Sequence, residues 1–213
     1  MTKTIKILIA DDHEVVRQGL ERILQKEYPN ALIECVSDGR DIVNKVLQSE
    51  WDLVISDLSM PGKTGIEALE DIRKHYQKLP VLILTMHPEE QYAMRALRAG
   101  ASGYLSKSMD STELITATRR VLMGRRYITP SLAEKLSDLI YGPSQDLPHE
   151  NLSNREFEVM KLLAKGVSLI EIGRTLSVTP TTVSTYRTRI LHKMNLANNS
   201  ELTRYAIANH LID

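Results

Sequence analysis

Cysteine is nearly absent: Cys35 is the single one among 213 residues. An intrachain disulfide framework is therefore excluded, and so is a cysteine-based zinc site. Cys35 lies in the strand-like run LIECV, which predicts a buried thiol in the core. Net charge is absent as well. Lys and Arg total 27 and Asp and Glu total 27, so the overall balance selects neither nucleic acid nor a membrane surface. Long apolar runs are missing too. The amino-terminal MTKTIKILIADD is apolar over too few residues for a signal peptide or a membrane span, which predicts a cytoplasmic protein with no membrane partner.

What is present is ordinary in amount but uneven in place. Hydrophobic residues make up 42% and charged residues 25% of the chain, as in most soluble globular proteins. The length suits one large domain or two modest ones. Residues 1–126 carry 18 basic and 18 acidic side chains, 127–150 carry 1 and 4, and 151–213 carry 8 and 5. The mild positive bias at the carboxyl end permits nucleic-acid binding without establishing it.

The stretch WDLVISDLSMPGKTG, residues 51–65, organises the first half. Leu53, Val54 and Ile55 form a short apolar strand, Asp57 ends it, and Pro61-Gly62 turns the chain. A carboxylate at the carboxyl end of a buried strand stands where open α/β sheets bind ligands. Gly62-Lys63-Thr64 is also the tail of a P-loop pattern, but the glycine needed five residues before Gly62 is Asp57. A carboxylate there would repel a triphosphate and block close backbone approach.

The rest of the first half alternates strand and helix. IKILIA, ALIECV, the run ending at Asp57, VLIL and GYL read as five strands, each followed by an amphipathic helical stretch. Such alternation predicts a parallel sheet covered on both faces. With right-handed crossovers, the flavodoxin-like order 2-1-3-4-5 fits best. That order gathers Asp11, Asp12, Asp57, Thr85 and Lys107 into one cleft. Taken alone, Asp11-Asp12 would cap a helix, Thr85 would be a strand-end hydroxyl and Lys107 a solvated lysine. Their joint placement at strand ends favours a common site. Clustered carboxylates repel unless a cation offsets them, and a dense oxygen set suits Mg²⁺. Asp57 could then act as a nucleophile toward a phosphoryl group, with Lys107 and the Thr85 hydroxyl pairing its oxygens.

The segments ILIADDH, DLSMPG, LILT and GYLSK together resemble the defining motifs of response-regulator receiver domains. The resemblance covers about residues 4–125 and is specific. It implies phosphorylation of Asp57 by a sensor histidine kinase or phosphotransfer protein. It also implies Mg²⁺ held by Asp12, Asp57 and the Ser59 backbone carbonyl, with Asp11 helping through water. Thr85 and Tyr104 match the family's switch pair. One departure stands out: many receivers place proline, often cis, after the lysine, whereas this chain has Ser108, which leaves the Lys107–Ser108 peptide open.

Residues 127–150 hold a helical piece, 131–140, followed by YGPSQDLPHEN, which reads as a linker. Beyond it lies helix only. Ser153 with Glu156 and Ser168 with Glu171 form two capping boxes, and Thr179-Pro180 opens a third helix. The turn from 177 to 179 is short, as in a helix-turn-helix. Along the third helix Val183, Tyr186, Ile190 and Met194 build an inward face. Thr181, Ser184, Thr185 and Thr188 occupy the opposite face, where short hydroxyl side chains permit close entry into a major groove. Thr182 lies beside them, and Arg187, Arg189 and Lys193 flank them as phosphate contacts. A surface helix with a polar face is the plainer alternative.

Residues 150–211 are similar to LuxR-type DNA-binding domains, and the whole chain resembles the NarL/FixJ family of transcriptional response regulators. The resemblance implies a receiver at 1–126, a linker at 127–150 and a four-helix DNA-binding domain at 151–213. It makes Ser184, Thr185 and Thr188 the base readers and double-stranded DNA a partner, with RNA polymerase as a further one. It also implies a homodimer when phosphorylated or DNA-bound, and no enzyme. A phosphatase of the haloacid-dehalogenase type would want a second Asp at position 59, where Ser59 stands.

Overall fold

The computed structural model describes residues 4–141 and 147–212. Five strands form one parallel sheet: β1 (Lys6–Ala10), β2 (Leu32–Val36), β3 (Leu53–Ser56), β4 (Val81–Thr85) and β5 (Gly103–Ser106), in the order β2-β1-β3-β4-β5. The expected flavodoxin-like order is the observed one. The helices α1 (Glu14–Glu27), α2 (Gly39–Gln48), α3 (Gly65–His75), α4 (Glu89–Arg98) and α5 (Ser111–Leu122) alternate with the strands. Central strands lose both faces to helices, so β3 and β4 are buried at every position, which is why they read as unbroken apolar runs.

Register carries the strand ends into one row. Ala10 pairs with Ser56, and Ile83 with Tyr104. The Asp57 amide donates to the Ala10 carbonyl at 2.7 Å, and the Lys107 amide to the Thr85 carbonyl at 2.9 Å. Side chains from positions 11, 57, 85 and 107 thus emerge along one edge of the sheet.

Cys35 corrects the sequence reading: it is exposed. Its strand, β2, is the edge of the sheet, with no strand beyond it among the described residues. The Lys107–Ser108 peptide is trans, like every peptide among the described residues.

The segment after α5 carries the helical piece expected at 131–140 and packs onto the sheet domain. The Tyr127 amide donates to the Ser102 carbonyl at 2.8 Å, and Tyr127 bridges to Gly103. A further helix, α6 (Pro130–Tyr141), follows. The Thr129 hydroxyl donates to Glu89 at 2.8 Å, the Ser131 hydroxyl bonds the same carboxylate, and Leu132 is fully buried. These bonds from the first residue of α4 fasten 127–141 to the sheet domain, and the first compact unit accordingly runs Met1–Tyr141.

The second unit, Gly142–Asp213, is helical. It contains a short 3₁₀ turn (Pro148–Asn151), then α7 (Asn154–Ala164), α8 (Leu169–Thr175), α9 (Pro180–Met194) and α10 (Asn199–Ala208). Both capping boxes form as the sequence predicts: Ser153 with Glu156, and Ser168 with Glu171. Thr179 caps α9 by accepting from the Thr182 amide at 3.2 Å. Ser177 takes a left-handed conformation, φ 54°, in the turn between α8 and α9. A Cβ on Gly173 would lie 2.7 Å from the Val178 carbonyl, so this tight helix-turn-helix crossing needs glycine there.

Candidate functional site

Asp57 follows β3, Asp11 follows β1, and Lys107 follows β5. The Lys107 ammonium sits 2.7 Å from Asp57 Oδ2 and 2.7 Å from Asp11 Oδ2. All three side chains are largely buried, with relative exposures of 10% for Lys107, 5% for Asp57 and 1% for Asp11. Burial works against the lysine's charge. Its hydrogen bonds to Asp11 and Asp57, with their negative charge, outweigh that cost and raise its pKa. Lys107 is therefore a fixed cation, not the solvated lysine it would be by itself.

Each carboxylate is also oriented by backbone. The Leu58 amide donates to Asp57 Oδ1 at 2.6 Å. The His13 amide donates to Asp11 Oδ1 at 2.9 Å. Asp11 thus shapes the turn into α1 without capping it; the cap position is His13, which makes no side-chain cap bond. Asp12 is one-third exposed, with its Oδ1 2.7 Å from His13 Nδ1. Ligand atoms of Asp11, Asp12, His13 and Asp57 all lie within 4.8 Å of one another. One ammonium thus faces three carboxylates. Asp11 Oδ2 is buried with the Lys107 ammonium 2.7 Å away as its counter-charge. An acidic pocket with more carboxylates than cations suits a metal ion. His13 was not singled out in the sequence, although it stands next to the two aspartates.

The loop after Asp57 is tied down on its far side. The Gly65 amide donates to the Leu58 carbonyl at 2.8 Å, and Thr64 with Glu67 closes a third capping box at the start of α3. A Cβ on Gly65 would stand 2.1 Å from the Asp57 carbonyl. The Lys63 ammonium pairs with Asp71 on α3, so the residue that suggested a P-loop serves the helix instead.

Thr85 and Tyr104 meet at His87. The Thr85 hydroxyl oxygen accepts from the His87 amide at 3.3 Å, and the Tyr104 hydroxyl donates to the His87 carbonyl at 2.9 Å. Burial, then the negative charge of nearby groups, pushes the Tyr104 phenol above its usual range, so it stays a donor. His87 Nε2 lies 2.6 Å from the Ser59 hydroxyl, joining the Asp57 loop to the β4–α4 loop. That contact spans 28 residues and had no signal in the sequence.

On α9 the expected faces separate. Val183, Ile190 and Met194 are buried, while Thr181, Ser184, Thr185, Thr188 and Arg189 are exposed. The Thr185 and Thr188 hydroxyls donate to the carbonyls of Thr181 and Ser184 at 3.1 and 3.2 Å, keeping their lone pairs outward. Thr182 is half-buried against the cap residue Thr179, the two hydroxyl oxygens 2.9 Å apart. Arg187 Nε donates to Asn199 on α10 at 2.7 Å. Lys193 Nζ lies 2.6 Å from Glu156 on α7.

Comparison with known proteins accords with this geometry. Residues 7–119 match the response regulator receiver domain family, and residues 150–206 match the bacterial regulatory proteins of the luxR family. The chain is 38% identical over 216 residues to the oxygen regulatory protein NreC of Staphylococcus carnosus, covering 98% of this chain and 100% of that one. It is 36% identical over 208 residues to the response regulator UvrY of Escherichia coli, covering 97% and 95%. Among solved structures it is similar to RcsB from Salmonella enterica serovar Typhimurium, bound to promoter rprA in the presence of phosphomimetic BeF3-. There the TM-score is 0.63 and the identity 27%, with coverage of 95% of this chain and 98% of that one. A receiver fold joined to a LuxR-type helix-turn-helix, matched along nearly its whole length, makes this chain a two-component response regulator of the NarL/FixJ family, a transcription regulator and not an enzyme.

Proposed function

We propose that Asp57 is the phosphoacceptor and that its phosphorylation controls how α9 engages double-stranded DNA. The observation that carries this is the Lys107 ammonium held 2.7 Å from both Asp57 and Asp11. A sensor histidine kinase or phosphotransfer protein is the donor. An Asp57 carboxylate oxygen attacks phosphorus, and the P–N bond to the donor histidine breaks with its electron pair leaving on nitrogen. No general base is needed, because a carboxylate oxygen attacks with its own lone pair. Lys107 is placed to pair with an oxygen of the new phosphoryl group, and the Thr85 hydroxyl to donate to another. The donor set is rich in oxygen and fits Mg²⁺ better than softer metals. Asp12, Asp57 and the Ser59 carbonyl would hold it, with Asp11 acting through water; when bound it neutralises incoming phosphoryl charge.

Movement of Thr85 toward a phosphoryl group would pull on His87, and through it on Tyr104 and the start of α4. Differential contacts of this kind typically supply about 1–3 kcal/mol of coupling. On α9, Ser184, Thr185 and Thr188 read base edges, Thr181 borders them, and Arg187 and Arg189 reach phosphates. The RcsB–promoter complex supports DNA as the target. A homodimer on paired half-sites follows from the usual symmetry of such operators. No helix among the described residues is long and apolar enough to cross a membrane, and we place the chain in the cytoplasm.

The test is incubation with a small phosphodonor and divalent cation, followed by intact-mass measurement and DNA binding. The native chain should gain one phosphoryl group and change its DNA affinity. Asp57→Asn should do neither. Labelling of Asp57→Asn to the native extent would remove Asp57 from this role.

A further inference from the structure

Lys193 looks like one more phosphate contact on the recognition helix, and the geometry points elsewhere. We propose that Glu156 and Lys193 form a joint that fixes the seating of α9 on α7, and that Lys193 does not meet DNA. Glu156 is then a positioning residue for DNA recognition.

Three observations carry this. Glu156 is only 5% exposed, and its Oε2 accepts from both the Ser153 amide at 2.8 Å and Lys193 at 2.6 Å. One oxygen therefore closes the α7 capping box and grips α9 across 37 residues of sequence. Second, Lys193 is the penultimate residue of α9. At 1.5 Å per residue it stands about 18 Å along the axis from Thr181. In helix-turn-helix proteins the amino-terminal part of the recognition helix enters the groove. Third, at 100° per residue Lys193 is rotated about 180° from Ser184 and about 140° from Thr188. Tyr186 and Thr182, each about 20° away, are half-buried, while the exposed Arg189 lies about 40° away toward the groove-facing side. Lys193 keeps 41% of its side chain exposed, yet its ammonium is turned to Glu156. A buried carboxylate also binds its partner strongly, since leaving that charge unpaired is costly. The pull that lowers the Glu156 pKa against burial comes first from the Lys193 hydrogen bond.

The two roles predict opposite signs. If Lys193 neutralised a phosphate, Glu156→Gln would release it and remove a nearby negative charge, so DNA would bind more tightly. Lys193→Met would weaken all duplexes alike and reduce the slope of log affinity against log salt by about 0.9. As a joint, the pair shapes only sequence recognition. Both single variants should lose about tenfold for the preferred duplex, the size of one spoiled base contact. Binding to a duplex of scrambled sequence and the salt slope should not change. The double variant Glu156→Gln/Lys193→Met, which leaves no buried charge unpaired, should recover part of the loss seen with Lys193→Met.

The experiment uses the full-length phosphorylated chain and a duplex selected by that chain from a random-sequence pool, with a scrambled duplex beside it. Glutamine also closes a capping box, so Glu156→Gln keeps the start of α7 and should retain the native far-UV spectrum. Were Lys193→Met too unstable to purify, the sign of the Glu156→Gln effect decides alone. Tighter binding by Glu156→Gln, or a salt slope reduced by about 0.9 in Lys193→Met, overturns the proposal. It rests on α9 being the reading helix. That reading fails separately if Ser184→Ala and Thr185→Ala leave sequence preference untouched.

Discussion

Asp57 and Lys107 lie 50 residues apart in sequence and 2.7 Å apart in space. Ser184, Thr185 and Thr188 share an exposed face of one helix without help from elsewhere. The first site exists only because four strands keep register, and its charges are buried against one another. The second is a local pattern of period 3.6 on a scaffold that other residues hold. On the proposed function, residues of the cleft carry stability and activity together, whereas those of the helix face carry recognition alone. Substitution should expose this difference: changes in the cleft must move both quantities, and changes on the face only one.

The largest effect is expected at Gly65, where the cleft has no room. An alanine Cβ would stand 2.1 Å from the Asp57 carbonyl, against backbone that cannot swing aside. Gly65→Ala should cost about 3 kcal/mol and also suppress phosphorylation, because relief of the clash displaces the Asp57 loop. Urea unfolding and intact-mass phosphorylation check both; a variant native in stability would show that the start of α3 is loosely placed.

Next comes Lys107→Met. It leaves Asp11 and Asp57 facing each other with no counter-charge, at exposures of 1% and 5%. A fully buried pair loses more when broken, but this cleft opens to water at Asp12, so about 2 kcal/mol is expected in divalent-free buffer. Adding Mg²⁺ should return part of it, and so should Asp11→Asn in the same chain. If neither restores stability, the lysine acts by packing rather than by charge.

These contrasts explain what was legible in sequence. Apolar runs ending in Asp11, Asp57 and Thr85 signal strands and their order, and strand order suffices to assemble the cleft. Local caps were equally legible at Ser153 and Ser168, since a capping box is written within four residues. Thr64 with Glu67 has the same pattern but lies inside a turn-rich stretch that also suggested a P-loop. Illegible features all depend on a distant partner. Cys35 sits in a strand of core type, yet β2 is the sheet's edge. The helix within 131–140 was legible, but nothing local announces that Thr129 and Ser131 bond Glu89. Nothing local announces that Lys193 pairs with Glu156.

On the helix face, Ser184→Ala, Thr185→Ala and Thr188→Ala should each leave stability within about 0.5 kcal/mol. The Thr185 and Thr188 hydroxyls bond only carbonyls already satisfied in the helix. Preference for the selected duplex should fall by about 1 kcal/mol for each base edge that is no longer read. Equilibrium binding to the selected and scrambled duplexes, beside urea unfolding, measures both quantities. A stability loss as large as that of Lys107→Met would erase the distinction between the two regions.

The smallest effect tests whether the helical unit holds any charge as the cleft does. Burial opposes ionisation of Glu156, but the Lys193 hydrogen bond and the Ser153 amide outweigh it and hold the folded pKa below the ordinary carboxylate value. A depressed folded pKa means the ionised group favours folding. That contribution is complete above the unfolded glutamate pKa of about 4.3 and drains away as pH falls through the lower folded value. Hydrogen exchange at the α7 amides, followed downward from neutral pH, should show protection lost in that acid window. Glu156→Gln carries no titrating group there, so the α7 share of the loss should flatten while the acid response of the Asp71 pair with Lys63 and Lys74 persists in the other unit. An unchanged α7 profile in Glu156→Gln would mean that Lys193 seats α9 through its stem rather than its charge.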